Sequence, residues 1–346
     1  MLLVLLVLLV LLVLLLALGA AASATECSQD VSAPQRLHPR LRDGDRFAGL
    51  RLLGALRLSA PGAIGEALHG LSGLAWDADD GLLHALSDFG QLVHLRPRFT
   101  DGVLSGVDFC GVHPLLSRAG ERLPPAWADA EGLTLRNGAN GRRGDGQLLV
   151  AFERVPRIAV YSTTGVWSGA TVLPPALRAA AYADPNQALE SLGESRRFGL
   201  VAAPERPLRG AREPALYARD GQSWPVRMED PRHGGLVDLA ITGDDQFLLL
   251  TRRYVSIFQP LVIGLERLEV DDDGRALRQF LVARFDSTAG WSLDNFEGLA
   301  RHDGERYFLV SDDNRHPLEL TLLLYVEVMG AAGPALGPAP STFAPR

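Results

Sequence analysis

The 346-residue sequence predicts an all-β fold, a β-propeller of five to six blades that is closed by an N-terminal strand. Three observations predict it. Similar short segments recur at intervals of 48 to 59 residues, a hairpin signal follows each segment, and charged residues stand at matching points of the repeats. Repeated antiparallel units of this length are typical of propeller blades, whereas the repeats of an open β-solenoid are usually shorter.

The repeat is visible in five short segments. Four of them read GLSGL, AEGL, LESL and FEGL, and a fifth, VDLA, fits more loosely. With Ser72, Glu131, Glu190, Asp238 and Glu297 as equivalent points, the spacings are 59, 59, 48 and 59 residues. This regularity favours one blade per segment, each with its first strand along the axis. A weak sixth unit within residues 97–123 or 208–232 would give six blades instead of five.

Each segment begins a predicted hairpin. In the last unit, Asp303 and Gly304 lie between two apolar runs, which is a strong turn signal. The turn lies midway between Glu297 and Asp312, so these two side chains are expected to face each other at the open end of the hairpin. The same construction gives four further pairs, which are Ser72 with Asp88, Glu131 with Glu153, Glu190 with Glu205, and Asp238 with Arg252.

The first 24 residues are predicted to be a signal peptide. A stretch that is almost entirely Leu and Val leads into small residues ending in Ala22-Ser23-Ala24, a typical cleavage pattern. An uncleaved membrane anchor is the alternative, because the apolar stretch is close to the shortest that spans a bilayer. We expect a secreted or periplasmic protein that contacts a membrane only if this segment is retained.

The remaining chain divides into three parts. Residues 25–46 form an N-terminal arm, 47–329 the propeller domain, and 330–346 a flexible tail rich in Gly and Pro. The predicted strand at 47–58 would close the ring against the C-terminal blade.

Charge and cysteine content restrict the partners and the compartment. The net charge of -7 and the pI of about 5.6 argue against a nucleic-acid-binding protein. Cys27 and Cys110 are an even pair in a chain predicted to be exported, so a disulfide between them is expected. We also expect a monomer that acts on a small anionic or ester substrate.

Acidic side chains are predicted to converge at one end of the propeller axis, because the open ends of all hairpins share one face. So many carboxylates repel one another unless a cation lies among them. A hard divalent cation, Ca²⁺ first, suits several oxygen ligands in a flexible arrangement. The candidate metal ligands are Asp88, Glu131, Glu153, Glu190, Asp238 and Glu297.

Arginines near the same strand ends could supply the positive charge instead, or in addition. Arg252, Arg253 and Arg315 are candidates for binding an anionic group of the substrate. The candidate catalytic residues are Glu131, Glu297, Asp312 and Arg154. His69 and His316 flank the same strand ends and could approach the site. Glu–Arg contacts between neighbouring blades are the purely structural alternative for this ring.

These segments also carry a resemblance. The runs GLSGL with ALSD, AEGL, ER with PRI, and NFEGL with LVSDDN, between residues 47 and 328, resemble the phytase-like family that is described as "esterase-like activity of phytase". The resemblance implies an exported β-propeller with a divalent metal and a hydrolase activity. It places Glu131, Glu153, Arg154, Glu297 and Asp312 on the recurring charged motifs of the family. Two units depart from the pattern, at Asp238 and at the LESL segment, which lacks the glycine.

Three functions remain open from the sequence. The first is a metal-assisted hydrolase of phosphate or carboxylate esters. The second is a lactonase-type propeller enzyme that uses the same metal on a neutral cyclic ester. The third is a non-catalytic exported module that binds an anionic ligand or another protein.

Overall fold

The computed structural model describes residues 27–243, 245–256 and 259–330. The predicted signal peptide and nearly all of the predicted tail lie outside these residues. No helix among the described residues is long and apolar enough to span a membrane.

The chain forms an arm followed by five antiparallel sheets, which are the blades of a propeller. The arm and the strand after it contain β1 (Gln29–Asp30), β2 (Ser32–Pro34), β3 (Arg46–Phe47) and β4 (Leu50–Leu58), followed by the short helix α1 (Gly62–Ala67). Blade 1 contains β5 (Leu71–Asp77), β6 (Leu82–Ser87), β7 (Gln91–Thr100) and β8 (Val103–Pro114). In blade 2, α2 (Pro125–Ala128) precedes β9 (Ala130–Arg136), β10 (Gln147–Phe152), β11 (Arg157–Ser162) and β12 (Trp167–Thr171).

The second half of the chain repeats the plan. Blade 3 contains β13 (Leu189–Ser195), β14 (Gly199–Pro204), β15 (Ala215–Ala218) and β16 (Ser223–Pro225). Blade 4 contains β17 (Gly234–Gly243), β18 (Gln246–Arg253), β19 (Val262–Val270) and β20 (Ala276–Asp286). Blade 5 contains β21 (Asn295–Arg301), β22 (Arg306–Asp312) and β23 (Leu322–Val328). Short 3₁₀ helices cover Ala179–Ala181, Pro185–Gln187 and Ser287–Ala289.

The N-terminal strand closes the ring, as the sequence predicts. β4 pairs antiparallel with β23 and becomes the fourth strand of blade 5. The first strands of blades 1 to 5 contact one another in order, and β21 packs against β5 to complete the circle. The ring therefore has five blades. The two segments that could have held a sixth supply outer strands of blades 1 and 3 instead.

The N-terminal arm fastens the first blade to the last. β1 adds to the outer edge of blade 1 through β8, and β2 pairs with β4 of blade 5. The predicted disulfide is confirmed between Cys27 and Cys110, which are 83 residues apart in the chain. Closing a loop of this length stabilises the folded state by about 4 kcal/mol when chain entropy alone is counted.

The apolar core lies between neighbouring blades and not within a single one. The largest cluster joins blades 4 and 5 and includes Leu250, Phe285, Phe296 and Leu309, each at most 2% exposed. Apolar residues alternate along the strands, so each sheet presents one apolar face to each neighbour. The first strands of the five blades therefore line both ends of the central axis.

Candidate functional site

A β-bulge occurs at the same point of every inner strand. In each blade one extra residue stands between two paired positions of the first and second strands. A bulge re-aims the side chain it carries. The five residues at this point, from blade 1 to blade 5, are Ser72, Glu131, Glu190, Val237 and Glu297.

A second set of side chains lies at the ends of the second strands. Asp312 pairs with Asn295, and Arg252 pairs with Gly235. The amides of the corresponding residues in the other three blades bond to carbonyl oxygens two positions before the bulge. The residues of this set are Asp88, Glu153, Glu205, Arg252 and Asp312, as the hairpin construction predicts. The predicted pairs are displaced in register, since Asp312 pairs with Asn295 instead of Glu297 and Arg252 pairs with Gly235 instead of Asp238. The bulge accounts for one residue of each displacement, and the register nearer the turn accounts for the rest.

The charged members of these two sets and one further aspartate form the acidic cluster. It contains eight carboxylates and one arginine at one end of the axis, namely Asp88, Asp129, Glu131, Glu153, Glu190, Glu205, Glu297, Asp312 and Arg252. Mutual repulsion among the acids acts across the blades, since Glu297 of blade 5 and Asp88 of blade 1 both disfavour the charge on Glu131 of blade 2. The opposite end of the axis has a cavity of about 160 Å³ that is lined largely by apolar side chains of the same inner strands.

Three members of the acidic cluster have the spacing of a metal site. Carboxylate oxygens of Asp129, Glu131 and Glu153 all lie within 4.8 Å of one another. Glu153 also accepts the backbone N–H of Ala188 at 3.1 Å, which fixes its carboxylate. Arg154 lies at the rim of the cluster, and its guanidinium contacts the Asp129 carboxylate at a distance of 2.9 Å. Oxygen ligands at this spacing suit a hard divalent cation.

The pKa values of the cluster reflect burial and crowding. Burial, reinforced by Glu297, Glu153 and other acids, raises the pKa of Glu131 well above its usual range. Burial and the neighbouring acids raise the pKa of Asp88 and of Glu153 to about 7, and that of Asp312 to about 8. Without a cation, several of these groups therefore hold protons near neutral pH, and a bound cation would replace those protons.

The guanidinium of Arg252 is held by hydrogen bonds within the site. Its guanidinium donates to Glu297 and Asn295, and to Glu205 at 3.2 Å. Burial disfavours its charge, but Glu297, Glu205 and Glu190 hold the pKa of Arg252 above its usual range. Arg252 therefore acts as a fixed internal cation of the site. With these contacts occupied, it offers little to an anionic substrate.

The other predicted arginines lie at the rim or beyond it. Arg154 is half-exposed and paired with Asp129. The Arg315 guanidinium stacks on the Phe89 ring, 3.9 Å from its centre, and favours the charge on Asp88. Arg253 lines a separate small cavity of about 50 Å³ that also contains Glu229 and Arg284. The predicted arginine grip inside the acidic ring is therefore not assembled.

The prediction of Asp238 as an axial metal ligand does not agree with its position. The bulge in blade 4 falls on Val237, so Asp238 is turned away from the acidic cluster. It is 1% exposed, and its oxygens accept the backbone N–H of Leu239 at 2.7 Å and of Leu299 at 2.6 Å. Leu299 belongs to blade 5, so Asp238 fastens two blades together. The VDLA segment matches the other four segments only loosely. This poor match indicated that the residue equivalent to the glutamates is Val237, one position before Asp238.

Two members of the site were not named from the sequence. Asp129 stands two residues before Glu131 and completes the three-carboxylate group. Asn295 stands two residues before Glu297 and donates to it at 2.9 Å. Each of these residues stands two positions before a glutamate of the repeat, and this shared spacing could have identified both of them. The position two residues before the bulge lies opposite the end of the second strand, where the second set of charged side chains is found.

Two of the similar solved structures are described as propellers. The chain is similar to a gluconolactonase from Xanthomonas campestris at 13% identity and a TM-score of 0.39, covering 87% of this chain and 98% of that one. It is also similar to the Dos1 propeller at 10% identity and a TM-score of 0.33, covering 81% and 74%. The Cps50 (Swd1) β-propeller domain of Myceliophteria thermophila gives 11% identity and a TM-score of 0.35, covering 87% and 99%. Likenesses as distant as these carry no information on activity.

The sequence itself gives the family. No curated sequence relative matches the chain. The sequence profile of the phytase-like family, described as "Esterase-like activity of phytase", matches residues 66–315. This range contains all five inner strands and every carboxylate of the acidic cluster. The chain therefore belongs to the phytase-like family.

Proposed function

We propose that the protein is a metal-assisted hydrolase of phosphate or carboxylate esters that acts at the acidic cluster. The observation that carries the proposal is the group formed by Asp129, Glu131 and Glu153, whose oxygens lie within 4.8 Å of one another among five further acids. A purely structural ring would pair its acids with arginines. Arginines pair with Asp129, Glu205 and Glu297, but no ion pair among the described residues involves Glu131, Glu153 or Glu190. Membership of the phytase-like family supports the same conclusion.

The residues present fit a divalent cation, and we propose Ca²⁺. All of the available ligands are carboxylate oxygens, which Ca²⁺ prefers, and none of the three proposed ligands is a nitrogen or sulfur donor. Glu131, Glu153 and Asp129 would hold the ion, with Glu190 next to Glu153. When bound, such an ion polarises ester oxygens and makes water more acidic.

The remaining acids are suited to proton transfer. A group that exchanges protons near the working pH is an effective general acid or base. Burial and the nearby acids bring the pKa of Asp312 to about 8 and that of Asp88 to about 7. Either carboxyl can hold a proton at neutral pH and deliver it to a leaving oxygen. Burial raises the pKa of Glu297, and the direct contact with Arg252 opposes that shift and holds the carboxylate in place.

The charge of the site bears on the choice of substrate. Arg252 is occupied by Glu297 and Glu205, and Arg206 also pairs with Glu205. At the rim, Arg154 pairs with Asp129, and Arg315 stacks on Phe89. A phosphate ester must therefore rely on the cation and the rim arginines for its charge. A neutral carboxylic ester or lactone has no such charge to compensate and needs the cation only to polarise its carbonyl oxygen. This favours the lactonase-type reading as a second candidate.

The test is a substrate panel on the purified chain beginning at Thr25. Phytate, a nitrophenyl phosphate, a short nitrophenyl ester and a lactone are each assayed after Ca²⁺ removal and after its return. We expect turnover that depends on Ca²⁺ and falls at least 100-fold in the double variant Glu131→Gln with Glu153→Gln. Glu269→Gln is the matched control, because Glu269 pairs with Arg278 on the outer strands of blade 4.

The outcomes separate the three functions. Turnover of phosphates establishes the phosphatase, and turnover of carboxylic esters or the lactone alone establishes the esterase or lactonase. Full activity in the double variant would disprove the site assignment. No turnover on any substrate by folded protein would leave a binding module.

We also propose that the protein is exported and acts as a monomer. The disulfide between Cys27 and Cys110 supports export, because such bonds persist in oxidising compartments. Cell fractionation with N-terminal sequencing tests this. Recovery in the reducing cytoplasm with an intact N-terminus would contradict it.

A further inference from the structure

A second group of polar side chains lies beside the acidic cluster, where blade 5 meets blade 1. His69 precedes β5, and Asp313 follows β22, so each stands just outside the acidic cluster. His69 Nδ1 lies 2.5 Å from Asp313 Oδ2. Both residues line a cavity of about 200 Å³. Neither residue contributes to the proposed metal group.

Asp313 is built to orient His69. It is 4% exposed and also accepts the Thr321 hydroxyl at 2.9 Å and the backbone N–H groups of Arg315 at 3.1 Å and Gly70 at 3.2 Å. Burial alone would raise the pKa of Asp313, but these hydrogen bonds hold it below its usual value. Asp313 accepts from Nδ1–H, so Nε2 is the ring nitrogen left for a ligand. Nε2 donates to an oxyanion when the ring is an imidazolium, the form that the Asp313 carboxylate pairs with.

Two arginines in the same cavity form no ion pair, although one of them, Arg315, favours the charge on Asp88. Arg57 extends from β4, and Arg315 stacks on Phe89, and neither forms an ion pair with any residue that the structure describes. The acids of the cavity are occupied by donors. Asp313 has those given above, and Glu319 accepts from Asn314 at 2.9 Å. The hydrogen-bond donors that the cavity offers to a ligand therefore include the positively charged guanidinium groups of these two arginines.

The loop that places Arg315 is strained. Asn314 and Arg315 have φ angles of 49° and 51°, in the left-handed region that non-glycine residues avoid. Asp312 Oδ1 accepts the N–H of Asn314 at 2.7 Å, and Asp313 Oδ1 accepts that of Arg315, so the two carboxylates hold this conformation. Backbone strain of this kind collects where a side chain must be held in one place.

We propose that this cavity is a second ligand site, one that binds an oxyanion between Arg57 and Arg315 with Nε2 of His69 as a hydrogen-bonding partner. Guanidinium groups on two different elements suit a group with oxygens pointing in several directions, such as a phosphate. A carboxylate shares the chemistry of binding. The site does not depend on hydrolysis at the acidic cluster. Its two arginines balance the charges of Asp313 and Glu319, and these two acids already accept hydrogen bonds from other groups.

The test follows the histidine directly. Protein labelled with ¹⁵N-histidine is titrated with inorganic phosphate, and the imidazole signals are observed by NMR. His69→Gln identifies the His69 signal. We expect phosphate to shift this signal in a saturable manner, and Arg57→Gln with Arg315→Gln to weaken the affinity at least tenfold. Both arginines are on the surface, so the double variant should fold.

Two comparisons make the result specific. Arg51→Gln removes one charge from the same strand, where Arg51 pairs with Glu327 at 3.2 Å, and should leave the affinity within twofold. The Glu131→Gln with Glu153→Gln variant should still bind phosphate, which separates this site from the proposed active site. Acetate is titrated in parallel. A response to phosphate alone identifies a phosphate site, a response to acetate alone identifies a carboxylate site, and equal responses identify a site that binds either oxyanion. The absence of any saturable shift at His69 with either anion, or equal weakening by Arg51→Gln, would overturn the proposal.

Discussion

Blade 4 and the other four blades share one backbone plan but place opposite chemistry at the axis. All five have the bulge at the same register, and all five end the second strand at the same height. Blades 2, 3 and 5 carry a glutamate at the bulge and an acid at the second-strand end. Blade 4 carries Val237 and Arg252 at these points.

The difference shows how a repeated fold builds an asymmetric site. Four blades supply the acids, and blade 4 supplies the one buried cation that holds Glu297 and Glu205. The position after the bulge differs as well. In blade 2 it is Gly132, where an added Cβ would lie 2.4 Å from the Glu190 carbonyl oxygen, while in blade 4 it is Asp238. Asp238 links the two blades through its carboxylate and not through close backbone packing.

The largest expected effect comes from removing the cation of blade 4. Arg252→Met leaves Glu297 and Glu205 buried without their partner, so we expect a loss of about 4 kcal/mol in the free energy of unfolding at pH 8. At pH 5 the loss should be smaller, because the acids can take up protons. Urea unfolding at both values measures it. An equal loss at both pH values would show that Arg252 acts through packing alone.

The link between blades 4 and 5 should be nearly as sensitive. Asp238→Ala leaves the buried N–H groups of Leu239 and Leu299 without acceptors, at a cost of about 3 kcal/mol. Asp238→Asn keeps one acceptor and should lose less. Thermal and urea unfolding compare these variants with Asp303→Asn, a change in an exposed turn. If Asp238→Ala loses less stability than Asp303→Asn, the proposed structural role of Asp238 is wrong.

The acids of the other blades make stability depend on pH. The pKa of Asp88 and of Glu153 is about 7 and that of Asp312 about 8 in the folded protein, against about 4 for free carboxyl groups. From pH 5 to 6.5 the folded state keeps protons that the unfolded state has released. In the absence of metal, stability should therefore fall by about 2 kcal/mol for each retained proton.

Calcium should reverse this dependence. Ca²⁺ binds the ionised carboxylates, so it should raise the melting temperature at pH 8 and have little effect at pH 5. Calorimetry with and without a chelator measures both. A melting temperature that is independent of pH and of Ca²⁺ would contradict the charge crowding on which the metal proposal rests.

The smallest effect should come from blade 3. Ser191 occupies the glycine position there, and its hydroxyl is buried without a hydrogen-bond partner among the described residues. Ser191→Ala should stabilise the fold by about 0.5–1 kcal/mol. Gly132→Ala, at the same position in blade 2, should destabilise it, because the added methyl meets a backbone oxygen. Unfolding midpoints that move in the same direction would mean that the two positions are not equivalent.

The sequence by itself determined the fold, the closing strand, the disulfide and most of the acidic ring. Each of these depends on local signals or on simple counting. Turns between alternating runs set the hairpins, the repeat sets the blades, and the two cysteines had only each other as partners. The residues that match between repeats, such as Glu131 and Glu297, were therefore found directly.

Only the tertiary structure decided which side chains of blade 4 face the axis and which blades share an ion pair. A one-residue offset at the bulge turns Asp238 into an interblade link and gives its place to Val237, because side chains alternate faces along a strand. The contacts of Arg252 with Glu205 and Glu297, and of His69 with Asp313, join residues 45 or more positions apart. Such contacts depend on how the blades pack, which no local pattern records.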